Sequence, residues 1–128
     1  MISIRQATMD DFGFISSTWL KGQKFGNSMF KQIDSQAYYE TYKKFIESII
    51  MRPNVVVKVV CLTDDPSIIL AYSVFNSECL YWSYTKSAWR KKGLQKQIIP
   101  DTINCVASLT KVGEAIIKAK GLKFNPWA

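Results

Sequence analysis

Three apolar runs separated by short polar turns restrict this chain more than any other feature. Val55-Val56-Val57-Lys58-Val59-Val60-Cys61-Leu62 is β-branched and almost unbroken, as suits a strand covered on both faces. Thr63-Asp64-Asp65-Pro66-Ser67 then supplies turn residues. Ile68 to Phe75 repeats the apolar pattern, Asn76-Ser77-Glu78 makes a tight return, and Cys79 to Thr85 runs back. Connections this short join antiparallel neighbours, because parallel ones need a crossover of a dozen residues or more. Residues 55–85 therefore predict a three-stranded antiparallel meander.

The flanking segments supply partners for that sheet. Ile2 and Ile4 alternate with Ser3 as a half-buried strand would. Thr8, followed three residues later by Asp11, offers a helix start. Phe12, Ile15, Trp19 and Leu20 share one helical face, and Gly22 is the expected stop. Residues 21–34 show no steady periodicity and read as a loop. Tyr38, Tyr42, Phe45 and Ile49 then mark an amphipathic helix from Ser35 to Arg52, closed by Pro53. Its tyrosines read first as core and rim residues.

The most distinctive stretch follows the meander. Tyr81 to Thr85 reads as strand, residues 86–93 as a basic turn, and the residues after Gly93 as a helix that Pro100 kinks or ends. Residues 86–96 hold Lys86, Arg90, Lys91, Lys92 and Lys96 and no acid. Positive side chains and backbone N–H groups where a strand hands over to a helix both favour a bound anion; the plainer reading is a solvated basic turn. Cys105 to Leu109 is a short apolar strand placed parallel to its neighbour by the helical crossover. A last helix follows from Thr110, with Val112, Ile116 and Ala119 on its buried side, then Gly121 and a terminal strand at Leu122-Lys123-Phe124.

At this basic turn the chain resembles a known family. Arg90-Lys91-Lys92-Gly93-Leu94-Gln95 looks like the pyrophosphate loop of the GNAT acyltransferases, and Gln95 is the position that departs from it, where the family keeps Gly or Ala. The element order β-α-α-β-β-β-α-β-α-β is the order of that superfamily across residues 1–128 as a single domain. The resemblance implies an α/β (α+β) fold, with a mixed, mostly antiparallel sheet of about six strands flanked by about four helices. A narrower resemblance, to small phage or prophage GNAT-like proteins, rests on Trp82, Tyr84, Lys86, Trp89 and Arg90 with the ending Phe124-Asn125-Pro126-Trp127.

The resemblance also implies a chemistry. Acetyl-CoA would lie between the third meander strand and the parallel strand after it. Residues near Tyr84 and Thr85 would hold its pantetheine arm, while Arg90, Lys91, Lys92, Gly93, Leu94, Gln95 and Lys96 would hold its diphosphate. Transfer to an amine needs a base and an acid. Glu78, acting through water, and Tyr84 are the candidates, with Tyr72 a further possible acid. Ile117 stands where many members carry a tyrosine.

Composition narrows the alternatives. The chain has 128 residues, four Trp, six Tyr, seven Phe and a net charge of +7, so one ordered basic domain is expected. Three widely spaced cysteines argue against a disulfide framework, and the lack of histidine and of a C-x-x-C pair leaves zinc without a ligand set. Cys105 reads as buried and inert in the absence of a base. No export signal or membrane-length apolar run occurs, so a soluble cytoplasmic protein without membrane partners is expected. Two functions stay open. One is an acetyl-CoA-dependent N-acetyltransferase of a small-molecule or protein amine. The other is a catalytically degenerate relative that binds a host protein or nucleic acid, although no nucleic-acid motif is present.

Overall fold

The computed structural model describes residues 1–26, 35–107, 121 and 123–124. Six strands form one sheet in sequential order: β1 (Ile2–Gln6), β2 (Val56–Leu62), β3 (Ile69–Phe75), β4 (Cys79–Thr85), β5 (Cys105–Val106) and β6 (Lys123–Phe124). The first four pair antiparallel. β5 and β6 each lie parallel to the strand before them. The meander and the parallel crossover strand thus form as the residue patterning predicts, with β2 and β3 each starting one residue later than expected.

The helices are α1 (Phe12–Gly26), α2 (Ser35–Ile50) and α3 (Leu94–Ile98), with 3-10 turns at Met9–Asp11 and Ser87–Trp89. The fourth expected helix and most of the 21–34 loop lie outside the described residues. On one face of the sheet, Ile15, Trp19 and Leu20 of α1 and Tyr38, Ile46 and Ile49 of α2 cover Val57, Val59, Tyr72 and Val74. On the other, Leu94 and Ile98 of α3 cover Val60, Leu70 and Ala71, while Ile99 and Ile103 cover Phe75, Leu80 and Val106. β3 is buried along its entire length; its polar Ser73 is satisfied because its hydroxyl donates to the Ile98 carbonyl at 2.7 Å. The helix ends there because Ile99, extended at φ −105° and ψ 120°, precedes a proline and is disfavoured in the helical region.

Three further boundaries differ from expectation. α2 ends at Ile50 rather than Arg52, and the chain turns through Arg52, whose N–H bonds the Ile49 carbonyl. The described part of β5 ends at Val106. The third difference has a packing cause: α1 runs through Gly22 to Gly26. Gly22 is no stop signal. It lies against the Trp82 ring, and a Cβ there would come within 2.6 Å of Trp82 Cζ2, so glycine is the residue that lets helix and strand approach.

The start of α1 is pinned by charge. The Asp11 carboxylate, only 5% exposed, accepts from Arg5 Nη1 at 2.6 Å and Nη2 at 2.8 Å and from the Thr8 N–H at 2.7 Å. Arg5 Nη2 also donates to the Pro66 carbonyl. One ion pair therefore joins β1, the helix start and the β2–β3 turn through charge-assisted bonds, the Asp11 carboxylate holding the first two and the Arg5 guanidinium reaching the third. The hydrogen bond from Arg5 holds the Asp11 carboxyl below its ordinary range.

Two outcomes follow. Asp11→Ala should cost roughly 2–3 kcal/mol in chemical denaturation, the scale of hydrogen bonds to a buried charge. Because the Asp11 pKa is depressed on folding, its contribution is complete above the unfolded carboxylate value of about 4 and drains away as pH falls below it; the variant should therefore lose less stability on acidification than the wild type. Gly22→Ala should destabilise by about 1–3 kcal/mol through overpacking against Trp82, read as a lower thermal midpoint with altered tryptophan fluorescence.

Candidate active site

Among the described residues, β4 has a strand partner along only part of its second edge. β4 pairs with β3 from Leu80 to Thr85, and the Lys86 N–H extends that ladder to the Leu70 carbonyl at 2.8 Å. By the two-residue alternation of an antiparallel ladder, Ser83 and Thr85 direct their backbone groups away from β3. On that side β5 meets β4 at Cys79 and Leu80, with one further bond from the Ala107 N–H to the Leu80 carbonyl at 2.9 Å. Among the described residues no strand pairs with Ser83 or Thr85 on that edge. A bulge where Phe75 faces Leu80 and Val74 faces Trp82 turns both Tyr81 and Trp82 toward α1 and α2.

The basic turn lies at the end of this edge. Lys91 at φ 63° and Gly93 at φ 76° are left-handed, a conformation glycine adopts freely and lysine rarely. Arg90, Lys91, Lys92 and Lys96 are exposed, and among the described residues none of them forms an ion pair; the one salt bridge is Arg5 with Asp11. Lys92 Nζ sits 5.1 Å over the Trp89 ring. Leu94 anchors the turn in the core.

Two side chains of the motif fold back onto the strand. Arg90 Nε donates to the Thr85 carbonyl at 3.1 Å. Gln95 Nε2 donates to the Tyr84 carbonyl and to Thr85 Oγ1, both at 2.8 Å, while Gln95 Oε1 is buried with no partner. The residue that departs from the motif thus ties the helix start to the strand end. Its sequence signal was the departure itself; the partners were not legible.

The catalytic candidates separate. Tyr84 is partly exposed on the α1 side, stacked on Tyr72 with ring centroids 5.4 Å apart and edge-on to Phe14 at 5.8 Å. Glu78 is exposed in the β3–β4 turn, where Asn76 Oδ1 accepts its N–H at 2.9 Å. Six residues of strand separate the two, roughly 20 Å, so the structure does not bring them together. Tyr72 is fully buried. Its hydroxyl donates to the Ile15 carbonyl at 3.0 Å and lies 2.6 Å from Thr18 Oγ1, and burial pushes its pKa up; it is a core residue. Cys105, expected to be buried, is partly exposed. Among the described residues no group of acidic, cysteine or histidine side chains is arranged to hold a metal, and no helix is long and apolar enough to cross a membrane.

No family model matches the sequence, and no curated protein matches it. Solved structures do match in fold. A predicted acetyltransferase with acetyl-CoA from Clostridium acetobutylicum aligns over 100% of this chain and 94% of its own, with a TM-score of 0.62 and 16% identity. The AAC(6')-Iy enzyme in complex with a bisubstrate analogue aligns over 96% of this chain and 91% of its own, with a TM-score of 0.53 and 13% identity. An acetyltransferase of the GNAT family from Staphylococcus aureus aligns over 77% of this chain and 61% of its own, with a TM-score of 0.53 and 13% identity. The chain has the GNAT acetyltransferase fold.

The tie at Gln95 has a measurable signature. Gln95→Ala removes two hydrogen bonds and also an unpaired buried acceptor, so it should change stability by less than about 1 kcal/mol. Gln95→Glu faces a carboxylate toward two oxygens and should cost about 1–3 kcal/mol at neutral pH. Parallel urea titrations of the two variants check the contrast.

Proposed function

We propose that this protein is an acetyl-CoA-dependent N-acetyltransferase acting on the amine of a small molecule or protein. The observation that carries the reading is an edge of β4 that no described strand pairs, beside a basic turn with no ion pair among the described residues: Ser83 and the Thr85 N–H direct backbone groups outward, and the exposed Arg90, Lys91 and Lys92 follow within a few residues. An extended ligand with amide groups at one end and phosphates at the other suits that sequence of donors, acceptors and charges. The Ser83 backbone and the Thr85 N–H would align its amide-bearing arm, the Thr85 carbonyl being held by Arg90. The turn from Arg90 to Lys96 would neutralise its phosphates, with Gly93 giving the backbone its left-handed bend. Acetyl-CoA would supply an activated thioester to the site.

Within this chain, Tyr84 is the residue assigned to protonating the departing thiolate; it lies beside Thr85 and is partly exposed. Glu78 stands too far along β4 to share that centre, so proton removal from the amine falls to solvent or to the acceptor itself. The two neighbours carrying acetyl-CoA or a bisubstrate analogue support the reading through their shared fold. The aromatic and basic motif from Trp82 to Arg90 favours a small phage-encoded relative working in the cytoplasm, where acetyl-CoA is made.

One observation favours a second reading, a binding protein on the same scaffold that engages a host protein or nucleic acid. The Gln95 carboxamide occupies the bend where the family keeps a position free of side chain.

Calorimetric titration with acetyl-CoA separates the two. Transferase function predicts binding tighter than about 1 mM that Gly93→Asp abolishes, together with thiol release when an amine panel is added. Absence of heat at millimolar acetyl-CoA, with binding restored in Gln95→Gly, would instead establish the closed scaffold of the second reading.

A further inference from the structure

The base of the β4–β5 junction carries a feature that acyl transfer does not use. Cys79 on β4 and Cys105 on β5 are register partners in a parallel pair. Adjacent strands lie about 4.8 Å apart, inside the Cα separation of roughly 4.4–6.8 Å that a disulfide spans. Both thiols are free. Their surroundings differ: Cys79 is 1% exposed, whereas Cys105 is partly exposed.

We propose that Cys79 and Cys105 form a reversible oxidation site, in which a peroxide converts the two thiols into a disulfide across the β4–β5 junction. Exposure assigns the roles. The Cys105 thiolate attacks a peroxide oxygen; an S–O bond forms, the O–O bond breaks, and hydroxide leaves with a proton from solvent as water. Cys79 then attacks the resulting sulfenic sulfur; an S–S bond forms, the S–O bond breaks, and the oxygen departs as a second water carrying the Cys79 proton. Two thiols and one hydrogen peroxide thus give one disulfide and two waters.

Burial sets the order of the two thiols. Burial, and next the neighbouring Cys105 thiol, push the Cys79 pKa up to about 12, which makes Cys79 a poor first nucleophile; it reacts as the second thiol because register holds it beside the Cys105 sulfenic acid. Its Sγ points to the Leu80 carbonyl and that of Cys105 to the Glu78 carbonyl, both at 3.8 Å, which keeps both groups at the same end of β4. Cys61 is an internal control. It is 1% exposed on β2, two strands from β4 in the sheet, a separation of at least about 10 Å that no disulfide bridges. The new bond would pin β4 to β5 where they join, below the free edge of Ser83 to Thr85. The site stands independently of acyl transfer.

The test begins with the reduced wild-type chain. It is treated with equimolar hydrogen peroxide, alkylated under denaturing conditions, and read by intact mass and peptide mapping. The expected product is a monomer that has lost two hydrogens, with Cys61 alone alkylated, a linked peptide joining Cys79 to Cys105, and full reversal by dithiothreitol. Cys79→Ala should instead accumulate a dimedone-trapped sulfenic acid on Cys105. All three cysteines remaining alkylatable at peroxide levels that oxidise free cysteine, linkage only between chains, or linkage through Cys61 would each overturn the proposal.

Discussion

The proposed cofactor site depends on the divided pairing of β4. Along one edge it is bonded to β3 from Leu80 to Thr85, extended to Lys86; along the other it meets β5 at its first residues. A strand bonded on both edges would have no backbone to offer, and one bonded on neither would not be held. The bulge opposite Phe75 and Val74 lets the antiparallel ladder continue to Thr85 past the two residues that pair with β5, since an extra residue on one strand increases local twist. Which β4 groups lack a strand partner among the described residues is therefore a consequence of register.

The rest of the fold fixes that register. β3 is buried on both faces, so sliding it by one residue would exchange the Tyr72 and Val74 side with the Ala71 and Ser73 side. Two polar bonds oppose the slip. The Tyr72 hydroxyl reaches the Ile15 carbonyl of α1 and the Ser73 hydroxyl reaches the Ile98 carbonyl of α3. Each would become an unsatisfied buried group on the wrong face. The Arg5–Asp11 pair acts similarly at the sheet edge, setting α1 relative to β1. The hydrophobic layers supply the stability, and these few polar contacts choose one arrangement among many of equal apolar burial.

Local patterning carried most of the fold. Continuous β-branched runs and short turns sufficed for β2, β3 and β4, and the parallel placement of β5 followed from a crossover too long for a hairpin. Gly22 misled because a glycine near the end of an apolar helical pattern reads as a cap, whereas its cause was contact with Trp82, sixty positions away. The bulge at Tyr81 left no mark in the residue pattern. Of the site, the basic turn and the helix start after Gly93 were legible because charge and backbone preference are local. The distance between Glu78 and Tyr84, the partial exposure of Cys105 and its pairing with Cys79 were not, since each is set by which strands become neighbours.

Gln95 shows how a motif position can retain its place and change its task. A residue without a side chain there leaves the backbone open to a ligand; Gln95 instead directs an amide donor to the Tyr84 carbonyl and Thr85 Oγ1, giving the strand end a polar partner from within the chain. The arrangement is not fully satisfied, because Oε1 is buried without a donor. Two hydrogen bonds gained and one acceptor stranded are energies of the same order, about 1 kcal/mol for each bond and about 1–3 kcal/mol for the stranded group. The bend is thus held by a contact whose net contribution is close to zero, and a ligand that offers Oε1 a donor, or takes over the strand acceptors, meets little resistance from it. That balance, more than the mismatch in residue type, decides whether the scaffold is open to a cofactor.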